Sequence, residues 1–295
     1  MPLTYEIYDV FTEAPFGGNP LAIVHGAAHL DHLAMQSIAR EFNLSETVFV
    51  LDAADPRHSA AIRIFMPVGE MPFAGHPTVG TAVALAARSG LDGPSILVLE
   101  ENIGPVRCAV KGSFAEFDVP RLPKAFVPGA NDSTLAAALN LDPQDIGFEN
   151  HRVGGWSAGV PYVTIPVSGL LPAAKAHVNA DAWIEAVGRV EGKVPAPWIY
   201  CRETVFTASD FHARMYAPWD GISEDPATGS AAAAFAGQIM RFDEPGGQTS
   251  LTIEQGVEFG RPSTIRLHME VEGRTLVSAR IGGHAVKVAE GTLYV

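Results

Sequence analysis

His76-Pro77-Thr78-Val79-Gly80-Thr81-Ala82-Val83-Ala84 can be laid on Asp225-Pro226-Ala227-Thr228-Gly229-Ser230-Ala231-Ala232-Ala233. Both stretches run polar, Pro, two variable positions, Gly, a hydroxyl, Ala. They lie about 150 residues apart, close to half of a 295-residue chain, and each opens an Ala-rich segment between strand-like stretches. Duplication accounts for both. A helix as poor in charge as Ala231-Ala232-Ala233-Ala234-Phe235-Ala236 needs apolar surface on nearly all sides. Several short strands accompany each such helix, so the expected fold is α+β: two similar domains, each a curled, mostly antiparallel, barrel-like sheet around a central helix.

Outward from the first copy, strands are expected over residues 5–11 and 21–24, and then a helix capped by Asp31 with Leu33, Ile38 and Phe42 on its apolar face. Strands over 47–51 and 60–66 precede the helix over 75–88, and strands over 95–100, 106–110 and 113–119 follow it. Pro120 to Pro128, with three prolines, is the linker candidate. The expected domains are therefore 1–125 and 126–295, with the last strand able to return to the first domain. Around the second copy we expect helices over 134–139, 181–188 and 228–241. Strand-like pieces are expected over 144–151, 162–167 and 199–208, and terminal strands over 250–253, 264–271, 276–281 and 285–288. Gly282-Gly283-His284 reads as a hairpin turn.

Composition narrows the function. At 47% hydrophobic residues the chain can bury a substantial core. A net charge of -13 argues against nucleic-acid or anionic-membrane partners, which need a clustered basic face, but leaves room for a locally bound anionic metabolite. Cys108 and Cys201 form no CxxC or Cys/His cluster, so neither a zinc site nor a disulfide framework is expected. Met1 to Asp9 lacks the pattern of a signal peptide, and no apolar run reaches the roughly 18 residues of a membrane span. A cytoplasmic protein with no metal and no cofactor is expected.

A helix N-terminus presents unpaired N–H groups and partial positive charge, a natural seat for a carboxylate. Gly75 with His76 and Gly229 with Ser230 offer two such seats. His76 and Asp225 also have ordinary readings, as a satisfied histidine and an N-cap. Glu46, in Asn43-Leu44-Ser45-Glu46-Thr47-Val48, stands where an apolar strand begins and is harder to explain without chemistry. HExxH, GxSxG, a strand-borne GxGxxG and a Walker lysine are all missing. His25, His29 and His32 read as surface histidines.

At these residues the sequence resembles the PhzF family, the phenazine-biosynthesis-like isomerases with a diaminopimelate-epimerase type of fold. The resemblance runs through Asp9-Val10-Phe11-Thr12, Pro15-Phe16-Gly17-Gly18-Asn19-Pro20-Leu21-Ala22 and Glu41-Phe42-Asn43-Leu44-Ser45-Glu46-Thr47. It continues in Pro72-Phe73-Ala74-Gly75-His76-Pro77-Thr78, Glu224-Asp225-Pro226-Ala227-Thr228-Gly229-Ser230-Ala231, and Gln255-Gly256 with Gly260-Arg261-Pro262-Ser263. It implies an interdomain site and a homodimer. It also implies Glu46 as the group that takes a proton from one carbon and returns it to another. His76, Asp225 and Ser230, with backbone at Gly75 and Gly229, would hold the substrate and assist. The related epimerases use two cysteines at the helix starts, where this chain has none. The expected activity is isomerisation of a small carboxylate-bearing metabolite; a silent scaffold of the same fold and an amino-acid epimerase are the alternatives.

Overall fold

The computed structural model describes residues 2–91 and 93–295; Met1, the first residue of the stretch that lacks a signal-peptide pattern, lies outside the described residues. Two compact units divide the chain: Met1–Asp118 with Gly282–Val295, and Val119–Ile281. We call them unit 1 and unit 2.

Unit 1 runs β1 (Leu3–Val10), β2 (Asn19–His25), α1 (His32–Phe42), β3 (Glu46–Leu51), β4 (Ala60–Met66), β5 (Gly69–Met71), α2 (Gly75–Arg88), β6 (Ser95–Glu101), β7 (Gly104–Lys111) and β8 (Phe114–Asp118). Unit 2 runs β9 (Lys124–Phe126), α3 (Asp132–Ala138), β10 (Gly154–Ser157), β11 (Pro161–Pro166), α4 (Leu170–Lys175), α5 (Ala180–Val187), β12 (Ala196–Cys201), β13 (Phe211–Ala217), β14 (Ile222–Asp225), α6 (Gly229–Phe242), β15 (Gly247–Gln255) and β16 (Ser263–Glu272). The long β17 (Thr275–Leu293) begins in unit 2 and ends in unit 1.

In unit 1, β17, β1, β2, β3, β4, β6, β7 and β8 pair in succession, and β8 pairs again with β17, which closes an 8-stranded barrel. β2–β3 and β4–β6 are parallel, and their crossovers carry α1 and α2. α2 touches β1, β2, β3, β6, β7 and β8, so it is the central helix. Its residues from Gly75 to Ala84 are all buried, which is why Gly, Ala, Val and Thr fill it.

Unit 2 repeats this plan. β10–β11 is antiparallel, β11–β12 parallel, β12–β13 antiparallel, β13–β15 parallel and β15–β16 antiparallel. β14 hangs on β13 as β5 hangs on β4. β9 takes beside β10 the place that the end of β17 takes beside β1. The central helix is α6, whose Phe235 ring meets Trp198, Tyr200 and Phe211 edge-on at centroid distances of 4.5, 4.7 and 5.1 Å. Each such pair adds about 0.5–1.5 kcal/mol beyond its buried area.

Several local expectations are corrected. Gly282-Gly283-His284 is not a turn but the middle of β17. A Cβ on Gly282 would lie 2.8–3.0 Å from Glu116, Phe114 and the Ala115 carbonyl, so glycine serves close strand approach there. Residues 202–208 are a loop rather than strand, and residues 144–151 begin inside a 3-10 turn at Pro143–Asp145 and hold no named strand. Asp31 does cap α1, accepting from the Ala34 N–H at 2.8 Å, but Leu33 is exposed and Met35, Ile38 and Ala39 carry the buried face. His25 is buried, 2.9 Å from Glu6 Oε2, not on the surface.

Candidate active site

Glu46 is the first residue of β3 and pairs with Leu21 at the first rung of the parallel β2–β3 ladder. That rung places its side chain among buried residues, 8% exposed. His76, the second residue of α2, is 3% exposed, and its Nδ1 lies 3.4 Å from Glu46 Oε2. Burial pushes the imidazole down to about 3, so it is neutral at physiological pH. The contact is therefore an approach of a carboxylate to a neutral ring, not an ion pair, despite its length. His76 Nε2 is buried with no hydrogen-bond partner among the described residues. The first turn of α2 has no side-chain cap on Ala74 and no acidic residue of its own, and Glu46 brings a carboxyl group to it from another element.

In unit 2, Asp225 ends β14 and is 5% exposed. Thr228 Oγ1 donates to Asp225 Oδ2 at 2.5 Å. Gln255 Nε2 donates to the Asp225 carbonyl at 2.7 Å and to Thr228 Oγ1 at 2.9 Å, while its Oε1 accepts from the Thr228 N–H at 3.1 Å. Gly256 follows at φ 75°, and a Cβ there would meet the Pro226 carbonyl at 2.6 Å, so glycine lets this clamp close on the start of α6. Thr228, not Asp225, is the N-cap of α6. Gly229 and Ser230 open the helix, and the Ser230 hydroxyl lies 2.7 Å from the Tyr162 hydroxyl.

The structure thus gathers Glu46, Gly75 and His76 in unit 1, and Asp225, Gly229 and Ser230 in unit 2. It also corrects the register of the repeat. Both central helices have 14 residues and begin at Gly75 and Gly229, so Pro72-Phe73-Ala74-Gly75-His76 matches Pro226-Ala227-Thr228-Gly229-Ser230. The β4–β5 rung Ile64–Met71 matches the β13–β14 rung Met215–Asp225 in the same register. His76 is the counterpart of Ser230, and Asp225 that of Met71.

Tyr162, Thr228 and Gln255 touch the candidate site residues of unit 2, and sequence reasoning did not single them out. Gln255 had a signal, standing directly before Gly256 in a family motif; Tyr162 had none, because only the fold brings it to Ser230. Cys108 and Cys201 are buried on β7 and β12, not in either helix start, and burial pushes the Cys201 thiol up to about 12 and Cys108 up as well, which makes neither a usable thiolate. Among the described residues no cluster of three or more His, Cys, Asp and Glu could hold a metal ion, and no helix is long and apolar enough to cross a membrane.

Comparison with known proteins matches residues 8–291 to the phenazine biosynthesis-like protein family. An uncharacterized isomerase of Mesorhizobium japonicum is 58% identical over 99% of this chain and 98% of its own length. The trans-2,3-dihydro-3-hydroxyanthranilate isomerase of Pseudomonas aeruginosa is 33% identical over 98% of this chain and 99% of its own. The crystal structure of a PhzF-family protein of Bacillus anthracis superposes with a TM-score of 0.90 at 26% identity, covering 100% of both chains. With a match of this extent in sequence and fold, the chain belongs to the phenazine biosynthesis-like protein family, whose named relatives include PhzF-type isomerases.

Proposed function

We propose that this protein is a cofactor-independent isomerase that moves a proton between carbons of a small, carboxylate-bearing metabolite. Glu46 is the base and then the acid. Its carboxylate takes a proton as a C–H bond breaks, the electron pair passes into neighbouring unsaturation, and the same proton equivalent returns to another carbon. Nothing is oxidised or reduced. His76 and Asp225 orient the substrate and stabilise developing charge; Gly75, Gly229 and Ser230 hold its anionic group at the helix starts.

The observation that carries this reading is the neutral His76 beside Glu46. A protonated imidazole at 3.4 Å would hold Glu46 as an ion pair and lower its basicity; burial prevents that. The two buried thiols speak against a two-cysteine epimerase. The Pseudomonas aeruginosa relative makes an unsaturated cyclic amino acid the first substrate to try. The reading includes a homodimer in the cytoplasm, and sedimentation analysis decides the former.

The test is deuterium uptake and isomer formation from trans-2,3-dihydro-3-hydroxyanthranilate in D2O, for the parent and Glu46→Gln. The variant is expected to lose about 10²–10⁴-fold in kcat, the usual worth of general acid–base catalysis, with a much smaller change in KM. A fully active variant would remove Glu46 from the mechanism. Absence of both deuterium uptake and isomer formation from this and related cyclic amino acids would favour a silent scaffold.

A further inference from the structure

Glu101 is the last residue of β6, and Gln255 is the last residue of β15. The parallel rungs Ala60–Leu99 and Phe211–Ile253 match, which makes the two side chains structural counterparts. Gln255 clamps the start of α6 with its amide. Glu101 reaches the start of α2, where its Oε1 lies 2.7 Å from Thr78 Oγ1, two residues beyond His76. Thr78 Oγ1 also lies 2.7 Å from the Ala74 carbonyl. One hydroxyl proton cannot serve two acceptors. With a carboxylic acid at Glu101 both bonds form: Glu101 donates to Thr78, and Thr78 donates to Ala74. The other oxygen, Oε2, is buried with no hydrogen-bond partner among the described residues, a position tolerable for a neutral acid and very costly for a carboxylate.

We propose that Glu101 is a positioning residue: as a neutral acid it ties the first turn of α2 together through Thr78 and adds no negative charge of its own to the helix end beside His76, where an anionic substrate is to bind. An ionised Glu101 would place a negative charge under that same helix end and compete with the substrate's carboxylate for it. The titratable group facing Glu101 from the neighbouring β7 is Cys108, itself neutral, with Asp118 of β8 acting on Cys108 beyond it; α2 offers His76, also neutral. No cation is thus at hand to stabilise the charged form among the described residues, and burial pushes Glu101 up to about 8.

The functional half of this inference rests on the isomerase reading; the protonation half does not. Three measurements separate them. Infrared spectra of the intact protein at neutral pH should show a protonated-carboxyl C=O band that disappears in Glu101→Gln. Thermal unfolding should show Glu101→Gln gaining on the parent as pH rises from 4.5 towards 8, because the unfolded chain releases this proton at 4.5 and the folded one only at about 8. If turnover of trans-2,3-dihydro-3-hydroxyanthranilate is found, KM of the parent should climb severalfold above about 8 while that of Glu101→Gln stays level, and Glu101→Ala should have a raised KM throughout. A missing band, or a Glu101→Gln protein less stable than the parent across the whole range, overturns the proposal. A band and an unfolding shift with no turnover would defeat the isomerase reading and leave the neutral clamp standing; a KM rise equal in parent and Glu101→Gln would defeat the substrate-binding role alone.

Discussion

Strand for strand the two units are copies, yet the ionisable residues have been dealt out unequally. Unit 1 holds Glu46 at the first rung of its β2–β3 ladder, where the first rung of the β11–β12 ladder carries Ala196. It holds His76 where unit 2 has Ser230, and Glu101 where unit 2 has Gln255. Unit 2 contributes Asp225 where unit 1 has Met71. What the copies share is scaffold. Arg63 on β4 grips Glu70 on β5 through two bonds of 2.7 Å, and Arg214 on β13 grips Glu224 on β14 at 2.8 and 2.9 Å. Each arginine also lies 5.1 Å over an aromatic ring two residues on, Phe65 or Tyr216. Glu100 accepts the N–H groups of Ala54 and Asp55, and Glu254 those of Val205 and Phe206, so both copies tie the loop before β4 or β13 in the same way. Duplicated parts hold the barrel; the proposed chemistry falls on the parts that diverge. A single proposed base in one unit, with Ala196 at the matching rung of the other, suits a one-base isomerase better than a symmetric two-base racemase.

The shared arginine clamp offers the largest effect. Arg214 is 5% exposed and also donates to the carbonyls of Ala173, Ala174 and Ala176, so Arg214→Met strips those buried carbonyls and the half-buried Glu224 of their partner and should cost about 3–5 kcal/mol. Arg63 is partly solvated, and Arg63→Met should cost about 1 kcal/mol or less. Chemical denaturation of both variants measures the gap. Equal losses would mean that the two clamps are the same in strength as well as in form.

Next comes the pair that differs. Gln255→Glu gives unit 2 the acid that unit 1 uses, but at a position where the amide must donate to both Thr228 Oγ1 and the Asp225 carbonyl. A carboxyl group has at most one proton to offer, so at least one of those bonds is lost beside the buried Asp225. We expect a loss of about 1–3 kcal/mol at neutral pH. Glu101→Gln should shift stability the opposite way at the same pH. If both exchanges stabilised or both destabilised the protein, the two helix starts would not be chemically distinct.

How much of this was legible in the sequence depends on which signal carried it. The fold was, because apolar Ala-rich helices and their flanking strands leave few architectures open. The register of the repeat was not: the first copy contains Pro-x-x-Gly twice, at Pro72–Gly75 and Pro77–Gly80, and only Pro77–Gly80 runs straight into Ala-rich sequence of the kind that follows Gly229. Laying Pro226–Gly229 on Pro77–Gly80 paired His76 with Asp225. Glu46, Asp225 and Ser230 were proposed from motifs, but the contacts of Tyr162, Gln255 and Glu101 are made by strands that pair across long sequence separations, which no local pattern reports. The loop at 202–208 has the composition of a strand because Thr, Val and Phe dominate it; a carboxylate from β15, far along the chain, holds it instead.

That loop clamp supplies the smallest and most local test. In unit 2 Glu254 also receives His212 Nδ1 at 2.8 Å, and His212 Nε2 lies 2.9 Å from Glu258. Burial works to lower the imidazole, but the bonds to Glu254 and Glu258 outweigh it and raise His212 to about 9. A histidine whose folded value lies above its ordinary value of 6.5 contributes stability that is full below 6.5 and is lost as pH rises through about 9. Glu101 softens the fold over part of the same range, so global unfolding cannot separate them. Amide hydrogen exchange can: protection at Val205 and Phe206, corrected for the intrinsic pH dependence of exchange, should fall about tenfold across that window, a change of ~1.4 kcal/mol. His212→Gln should remove the pH dependence there, while Ala54 and Asp55 in unit 1, tied to Glu100 without such a doubly bonded histidine, should respond less. Were the two loops to lose protection together, the cause would be global, and the histidine would have no part in setting the copies apart.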